Sequence, residues 1–151
     1  MKEMGIVPIF RERNVERLFE KFHKFFGFDR VEKIYPYKKP TYGDYIAWRG
    51  NKSYRVEVEV YLSGFFNHSK EVRDKIDVIV TAVAGSRIMK TRWDELKNKE
   101  VIILNDYFDI CIITPKDWAF LLVLNNWIKK EVKRECQVLA LPSSLERKCL
   151  I

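Results

Sequence analysis

The stretch Tyr54-Arg55-Val56-Glu57-Val58-Glu59-Val60-Tyr61 alternates valine with polar residues, the period-two pattern of a half-buried β-strand. Successive side chains of a strand point to opposite faces. Val56, Val58 and Val60 therefore share one face, which should meet a core. Glu57 and Glu59 share the other, with Arg55 beside them. Same-face neighbours lie roughly 6.5–7 Å apart. Two carboxylates at that spacing repel by a few kcal/mol at an effective dielectric of about 20, and by much less in open water. The acidic face is thus either well solvated or accompanied by a cation.

Just upstream, Tyr45-Ile46-Ala47-Trp48-Arg49 reads as a second strand and Gly50-Asn51-Lys52-Ser53 as turn chemistry, so the two strands form a hairpin. A two-residue loop at Gly50-Asn51 sets Asp44 opposite Glu57, and a four-residue loop from Gly50 to Ser53 sets it opposite Glu59. Both registers put Asp44 on the carboxylate face, and only an odd loop length turns it away. Like charges directly opposite destabilise a sheet. Such a cluster calls for a divalent cation, and oxygen-only ligands suit Mg²⁺ or Mn²⁺.

The rest of the chain supplies layers for this hairpin. Val15, Leu18, Phe19, Phe22, Phe25 and Phe26 recur at helical spacing over Glu12 to Phe26, and Gly27 ends the run. Phe28 to Tyr35 reads as a strand. The loop that follows interleaves Tyr37 with Lys38 and Lys39, rings and ammonium groups suited to bases and phosphates if it is more than an ordinary surface loop. Leu62 to Lys75 is a linking region containing Gly64 and His68. Ile76 to Val83 is a strongly apolar, central strand. Trp93 to Lys97 forms a short helical turn, and Val101–Leu104 and Phe108–Ile113 are further strands. Thr114-Pro115-Lys116-Asp117 is a helix start, with Thr as cap and Pro in the first position. That helix ends in Lys129, Lys130, Lys133 and Arg134, which suit its C-terminal dipole or present charge to phosphate. The order predicts an α/β fold, a central mixed sheet flanked by helices.

A chain of 151 residues with no repeat and no linker is expected to be one domain, 1–151. Its 47% hydrophobic and 32% charged residues exclude a disordered chain. The net charge is +7, from 28 Lys and Arg against 21 Asp and Glu, and a basic balance around an acidic cluster points to a polyanion and a metal. No apolar run approaches the roughly 20 residues of a membrane span, and the opening MKEMGIVPIFRER lacks the apolar segment of a signal peptide. Cys111, Cys136 and Cys149 have no paired spacing, and His23 and His68 do not join them at any zinc spacing. Reduced thiols and a cytoplasmic location are the expectation. Abundant Lys and Glu with a single glutamine, Gln137, has a thermophile's flavour.

A helix carrying an acid, an Asp opening a hairpin and a hydrophobic-Glu-hydrophobic-acid strand together resemble the restriction-endonuclease-like nuclease superfamily. Its signature is an Asp followed at variable distance by Asp or Glu, any residue, and Lys. Asp44 matches the first acid and Glu57 the second, whereas Glu59 stands where the lysine belongs. A branch of the superfamily also resembles this chain at Glu12, at Ser63-Gly64-Phe65-Phe66-Asn67-His68 and at Asp77-Val78-Ile79-Val80. The likeness covers about Arg11 to Leu104. It implies a restriction-endonuclease-like core and metal-dependent hydrolysis of phosphodiester bonds, in DNA more than RNA, with homodimerisation common in the family. It further implies that Asp44, Glu57 and the backbone carbonyl of Val58 hold Mg²⁺ or Mn²⁺, which polarises the phosphate and acidifies a water. In place of the lysine, Glu59 would act as base or take a second metal. Glu12 would complete the metal shell, or is simply a favourable acid in a first helical turn. His68 would donate to phosphate or position water, or is incidental to its loop. Asp77 is an anchor behind the ligands or a plain turn acid. Lys70, Arg73 and Lys75 form a solvated face or touch phosphate. Catalytically inactive nucleic-acid binding and a non-enzymatic interaction module are the alternative functions.

Overall fold

The structure, a computed structural model, describes residues 5–35, 42–85 and 90–138. By contact the chain divides into two compact units, Met1–Ile112 and Ile113–Ile151. Each is described by itself.

The hairpin organises the first unit. Its strands are β3 (Tyr45–Arg49) and β4 (Lys52–Tyr61), and Arg49 and Lys52 are the last pair before the loop. The loop is therefore Gly50-Asn51, with Gly50 at φ 59, the left-handed conformation tight hairpin turns require. This is the two-residue register. Tyr45 faces Val56, so Asp44 stands across from Glu57, and the Asp44 N–H bonds the Val56 carbonyl at 2.8 Å. β2 (Arg30–Lys33) adds antiparallel to β3; β5 (Val78–Val83) adds parallel to β4, and β6 (Glu100–Ile103) parallel to β5. The five-stranded mixed sheet thus runs β2-β3-β4-β5-β6 with β4 at its centre.

Both faces of the sheet are covered where β4 and β5 lie. Val56, Val58, Val78 and Val80 pack with Tyr45 and Ala47 beneath Val15, Leu18 and Phe19 of α1 (Glu12–Phe22). Asn14 anchors the helix start by accepting from the Phe10 and Arg11 N–H groups, each at 3.1 Å. On the other face, Ile79 packs with Leu62, Phe65, Phe66, Ile76 and Leu96. These come largely from a 3-10 helix, Leu62–Asn67, and from α3 (Lys90–Leu96); α2 (Lys70–Lys75) stands between the 3-10 helix and β5.

Several boundaries differ from the sequence pattern. α1 stops at Phe22 instead of Phe26, because the N–H groups of Phe25, Phe26 and Gly27 each bond three residues back and tighten the chain. Gly27, at φ 85, then turns it. The expected link from Leu62 to Lys75 is instead helical, with the Ser69 hydroxyl capping α2 by accepting from the Val72 N–H at 3.4 Å. α3 begins before Trp93. The last strand, β7, is only Ile110–Ile112 and pairs parallel with an unforeseen β1 (Val7–Ile9) in a separate two-stranded sheet. A three-residue strand containing Pro8 is too short for any period to register.

In the second unit the described residues form α4 (Pro115–Val138). Its start is capped reciprocally, as the sequence predicts. The Thr114 hydroxyl accepts from the Asp117 N–H at 3.2 Å, and Asp117 accepts from the Thr114 N–H at 3.0 Å. Phe120, Val123 and Trp127 are exposed along it. Among the described residues no helix is long and apolar enough to cross a membrane.

Candidate acidic site

The site gathers at the Asp44 end of the hairpin. Gly43 lets the chain enter there. Its φ is +84, and a Cβ on it would lie 2.7 Å from the Val56 carbonyl oxygen, a clash with backbone that only glycine avoids. Asp44 is then fixed at both ends, by its own N–H and by its side chain, whose Oδ2 accepts the Val58 N–H at 2.8 Å. The structure thus directs the Val58 amide at Asp44; its carbonyl was the group expected to serve the metal.

Glu57 and Glu59 follow on β4. The solvated reading of their face fails at Glu57, which is 5% exposed. The layer over it is the 3-10 helix, whose Leu62 and Phe65 are fully buried and hold the backbone down. At Gly64 an added Cβ would lie 2.5 Å from Glu59 Oε2, so glycine is what lets the segment approach. The segment ends by delivering His68. Its Nε2 lies 2.7 Å from Glu59 Oε1 and 3.0 Å from Glu57 Oε1. One ring nitrogen offers a single hydrogen or a single lone pair, so the two acids share one partner. The Arg73 guanidinium orients the same residue by donating to the His68 carbonyl at 2.6 Å, while pairing with Glu95 at 2.7 Å.

A second group adjoins the first. Ligand atoms of Glu12, Glu16 and Asp44 lie within 4.8 Å of one another, as do those of Glu57, Glu59 and His68. Glu12, Glu16 and Glu20 recur every four residues and so share one side of α1. Glu16 is met by Lys33 at 2.8 Å, and Glu20 by the hydroxyl of Tyr45. The Glu12 side chain has no ion pair or hydrogen bond among the described residues.

Crowding and burial push these acids toward their protonated forms. Burial, then Asp44, Glu59 and Glu12, raise Glu57 from 4.5 to about 9. Burial raises Asp44 to about 6 against the Val58 amide, with Glu16 and Glu59 adding to the rise and His68 opposing it. Glu12 rises to about 7 through burial, Asp44, Glu59 and Glu16, again with His68 opposing. Burial raises Glu59 too, but the His68 hydrogen bond and charge pull it back. Chemically this is a partly sheltered nest of oxygens that holds protons at neutral pH in the absence of another cation.

The structure therefore brings Asp44, Glu57, Glu59, Glu12 and His68 together. Lys70 is turned elsewhere, exposed and paired with Asp74 at 3.2 Å. Tyr37, Lys38 and Lys39 lie outside the described residues. Asp77 braces the strand, its Oδ2 accepting the Arg55 N–H at 2.8 Å and its own N–H bonding the Arg55 carbonyl at 2.9 Å. Sequence reasoning passed over Glu16 and Lys33. The four-residue spacing of the α1 glutamates was the available signal for Glu16; nothing local marks Lys33. Compared with family models, with curated proteins and with solved structures, the chain gives no match.

Proposed function

We propose that the chain is a metal-dependent nuclease of the restriction-endonuclease-like kind, hydrolysing phosphodiester bonds, in DNA before RNA. One observation carries the reading: carboxylates from a helix, a strand entrance and a strand converge with a histidine, their ligand atoms within 4.8 Å in each group. The order of elements supports it as well: an acid-bearing helix, a hairpin opened by Asp44 and a strand bearing Glu57 and Glu59 are the features on which the family resemblance rests.

The donor chemistry fits a hard divalent ion. Glu12, Glu16 and Asp44 offer only oxygen, which suits Mg²⁺ or Mn²⁺; Glu57, Glu59 and His68 add one imidazole, which Mn²⁺ also accepts. A bound ion supplies positive charge for the scissile phosphate and acidifies a coordinated water. The residues themselves do the rest. Asp44 is aimed by the Val58 amide. Glu57 is held rigid by its packing. Glu59, whose proton affinity His68 restrains, is the group placed to take a proton from the attacking water. A second reading, nucleic-acid binding without hydrolysis, rests on the glutamate at position 59 where the motif has lysine.

Incubating purified protein with supercoiled plasmid and with labelled single-stranded DNA and RNA tests the proposal. Cleavage in Mg²⁺ or Mn²⁺ that EDTA stops and Glu57→Ala abolishes is expected. Equal silence of wild type and variant in every metal refutes it, and a gel shift on the same samples then tests binding alone.

A further inference from the structure

On the acidic face of the hairpin the carboxylates give way to a different set of side chains. Antiparallel pairing places directly opposed residues on one face. Arg55 is opposite Ile46, Ser53 is opposite Trp48, and Trp48 is opposite Arg30. Arg55, Trp48 and Arg30 therefore lie on the face that holds Asp44, Glu57 and Glu59. Arg55 is two residues from Glu57, roughly 6.5–7 Å along the strand, and Trp48 is four residues from Asp44, roughly 13 Å.

The apolar layer that buries Glu57 does not extend over this part. Ile46, Trp48 and Arg55 are half-buried, and Ser53 and Arg30 exposed. The Arg30 guanidinium lies 3.9 Å from the centre of the Trp48 ring, a cation–π stack standing on the sheet. The Arg55 backbone is pinned by Asp77, yet its guanidinium has no ion pair or hydrogen bond among the described residues. Glu32, opposite Ile46 on the edge strand, and Asp77, on the Arg55 backbone, are acids of this region.

We propose that Arg55, Trp48 and Arg30 form a track for a single-stranded polynucleotide, with Arg55 meeting the phosphate next to the carboxylates and Trp48 with Arg30 stacking a base further along. Charge complementarity and continuity with the acidic site favour this occupant. Indole and guanidinium planes both accept unstacked bases. A duplex keeps its bases stacked on one another and offers nothing to such a plane. The inference rests on the nuclease reading only for what the track leads to; binding itself needs no hydrolysis.

The test is fluorescence-anisotropy titration of a labelled oligothymidylate, and of the same length of oligouridylate, with full-length protein in EDTA. Trp48→Ala should weaken binding roughly tenfold or more, the loss expected for one stacked base. An oligomer of abasic units should bind wild type and Trp48→Ala alike. Arg55→Ala should lower the slope of log affinity against log salt by about 0.7, the value for one single-strand phosphate contact. Lys97→Ala, which removes an exposed charge elsewhere, should leave that slope unchanged. Wild-type affinity in Trp48→Ala and Arg55→Ala, or a wild type that binds neither oligomer, overturns the track. Cleavage with unchanged binding in the variants sinks the track alone. Track-dependent binding without cleavage in any metal sinks the nuclease reading alone.

Discussion

Replacing Glu57 by glutamine should stabilise the ion-free protein at neutral pH and make it indifferent to metal. The folded chain raises this carboxyl from 4.5 to about 9. Between those values the folded state holds a proton that the unfolded state has released. The contribution of Glu57 to stability is therefore at its most favourable below the unfolded value and declines as pH rises from there through about 9. At pH 7 the decline amounts to about 3 kcal/mol, taking roughly 1.4 kcal/mol per pH unit. Glutamine resembles the protonated acid in shape and cannot ionise, so Glu57→Gln should recover up to about 3 kcal/mol at pH 7 and close to nothing at pH 4. Urea denaturation in EDTA across that range measures the difference. Mn²⁺ should then reverse the order. An ion bound to the folded state alone adds about 4.1 kcal/mol at a thousandfold excess over its dissociation constant. Wild type should gain this, and Glu57→Gln should gain little. If the variant is less stable than wild type at pH 7 in EDTA, Glu57 is ionised and compensated in the fold. If Mn²⁺ stabilises both proteins equally, the ion is not held by Glu57.

Gly64→Ala should act on the site more than on the fold. Its Cβ would lie 2.5 Å from Glu59 Oε2, the movable end of a side chain, so we expect about 1 kcal/mol lost in urea but at least about tenfold weaker Mn²⁺ binding by calorimetry. Gly43→Ala meets backbone at 2.7 Å from Val56 O and must hold a left-handed φ, so about 2 kcal/mol or more should be lost, and a loss below about 0.5 kcal/mol would show that Asp44 is not locked there. Phe65→Ala should cost about 3–5 kcal/mol, because the ring is fully buried under the acidic face, and thermal melting of the ion-free protein would show it. His68→Ala should lift the restraint on Glu59 and move the pH profile of cleavage to higher pH; an unmoved profile would remove Glu59 from the role of base.

What the sequence made legible follows from the range over which each signal acts. The alternation of Val56, Val58 and Val60 located the core face, and the Gly50-Asn51 pair was enough to place Asp44 on the carboxylate side, because both operate within one hairpin. The helix after Thr114 was legible for the same local reason. The overrun of α1 is different in kind: Phe25 and Phe26 keep helical spacing while the chain has already tightened, and both are used for ring packing against Tyr107. The burial of Glu57 was not legible at all. It depends on Phe65 and Leu62 folding back over the strand, and a strand with wet carboxylates has the same letters. Lys33 likewise meets Glu16 across 17 residues and two elements.

Burial at Glu57 also bears on why an acid stands there. Its strand neighbours Val56 and Val58 and its cross-strand neighbour Ile79 are apolar and fully buried. An apolar residue of similar volume would join Ile79 and Phe65 without any desolvation, and replacing buried ionic groups in this way is often neutral or stabilising. Glutamate instead has its own proton affinity raised by burial and by Asp44, Glu59 and Glu12, and it leaves His68 divided between two acids. Those costs fall on one small region, and three features of the chain converge on it: the left-handed glycine before Asp44, the glycine at 64, and the amide of Val58 aimed at a carboxylate. Close backbone approach and unfavourable charge gathered at one place, in a fold otherwise consistent from helix cap to core, is the pattern expected of a site held ready for a ligand. On the proposed reading that ligand is a cation of more than single charge, since a proton on Glu57 leaves Asp44, Glu59 and Glu12 still facing one another.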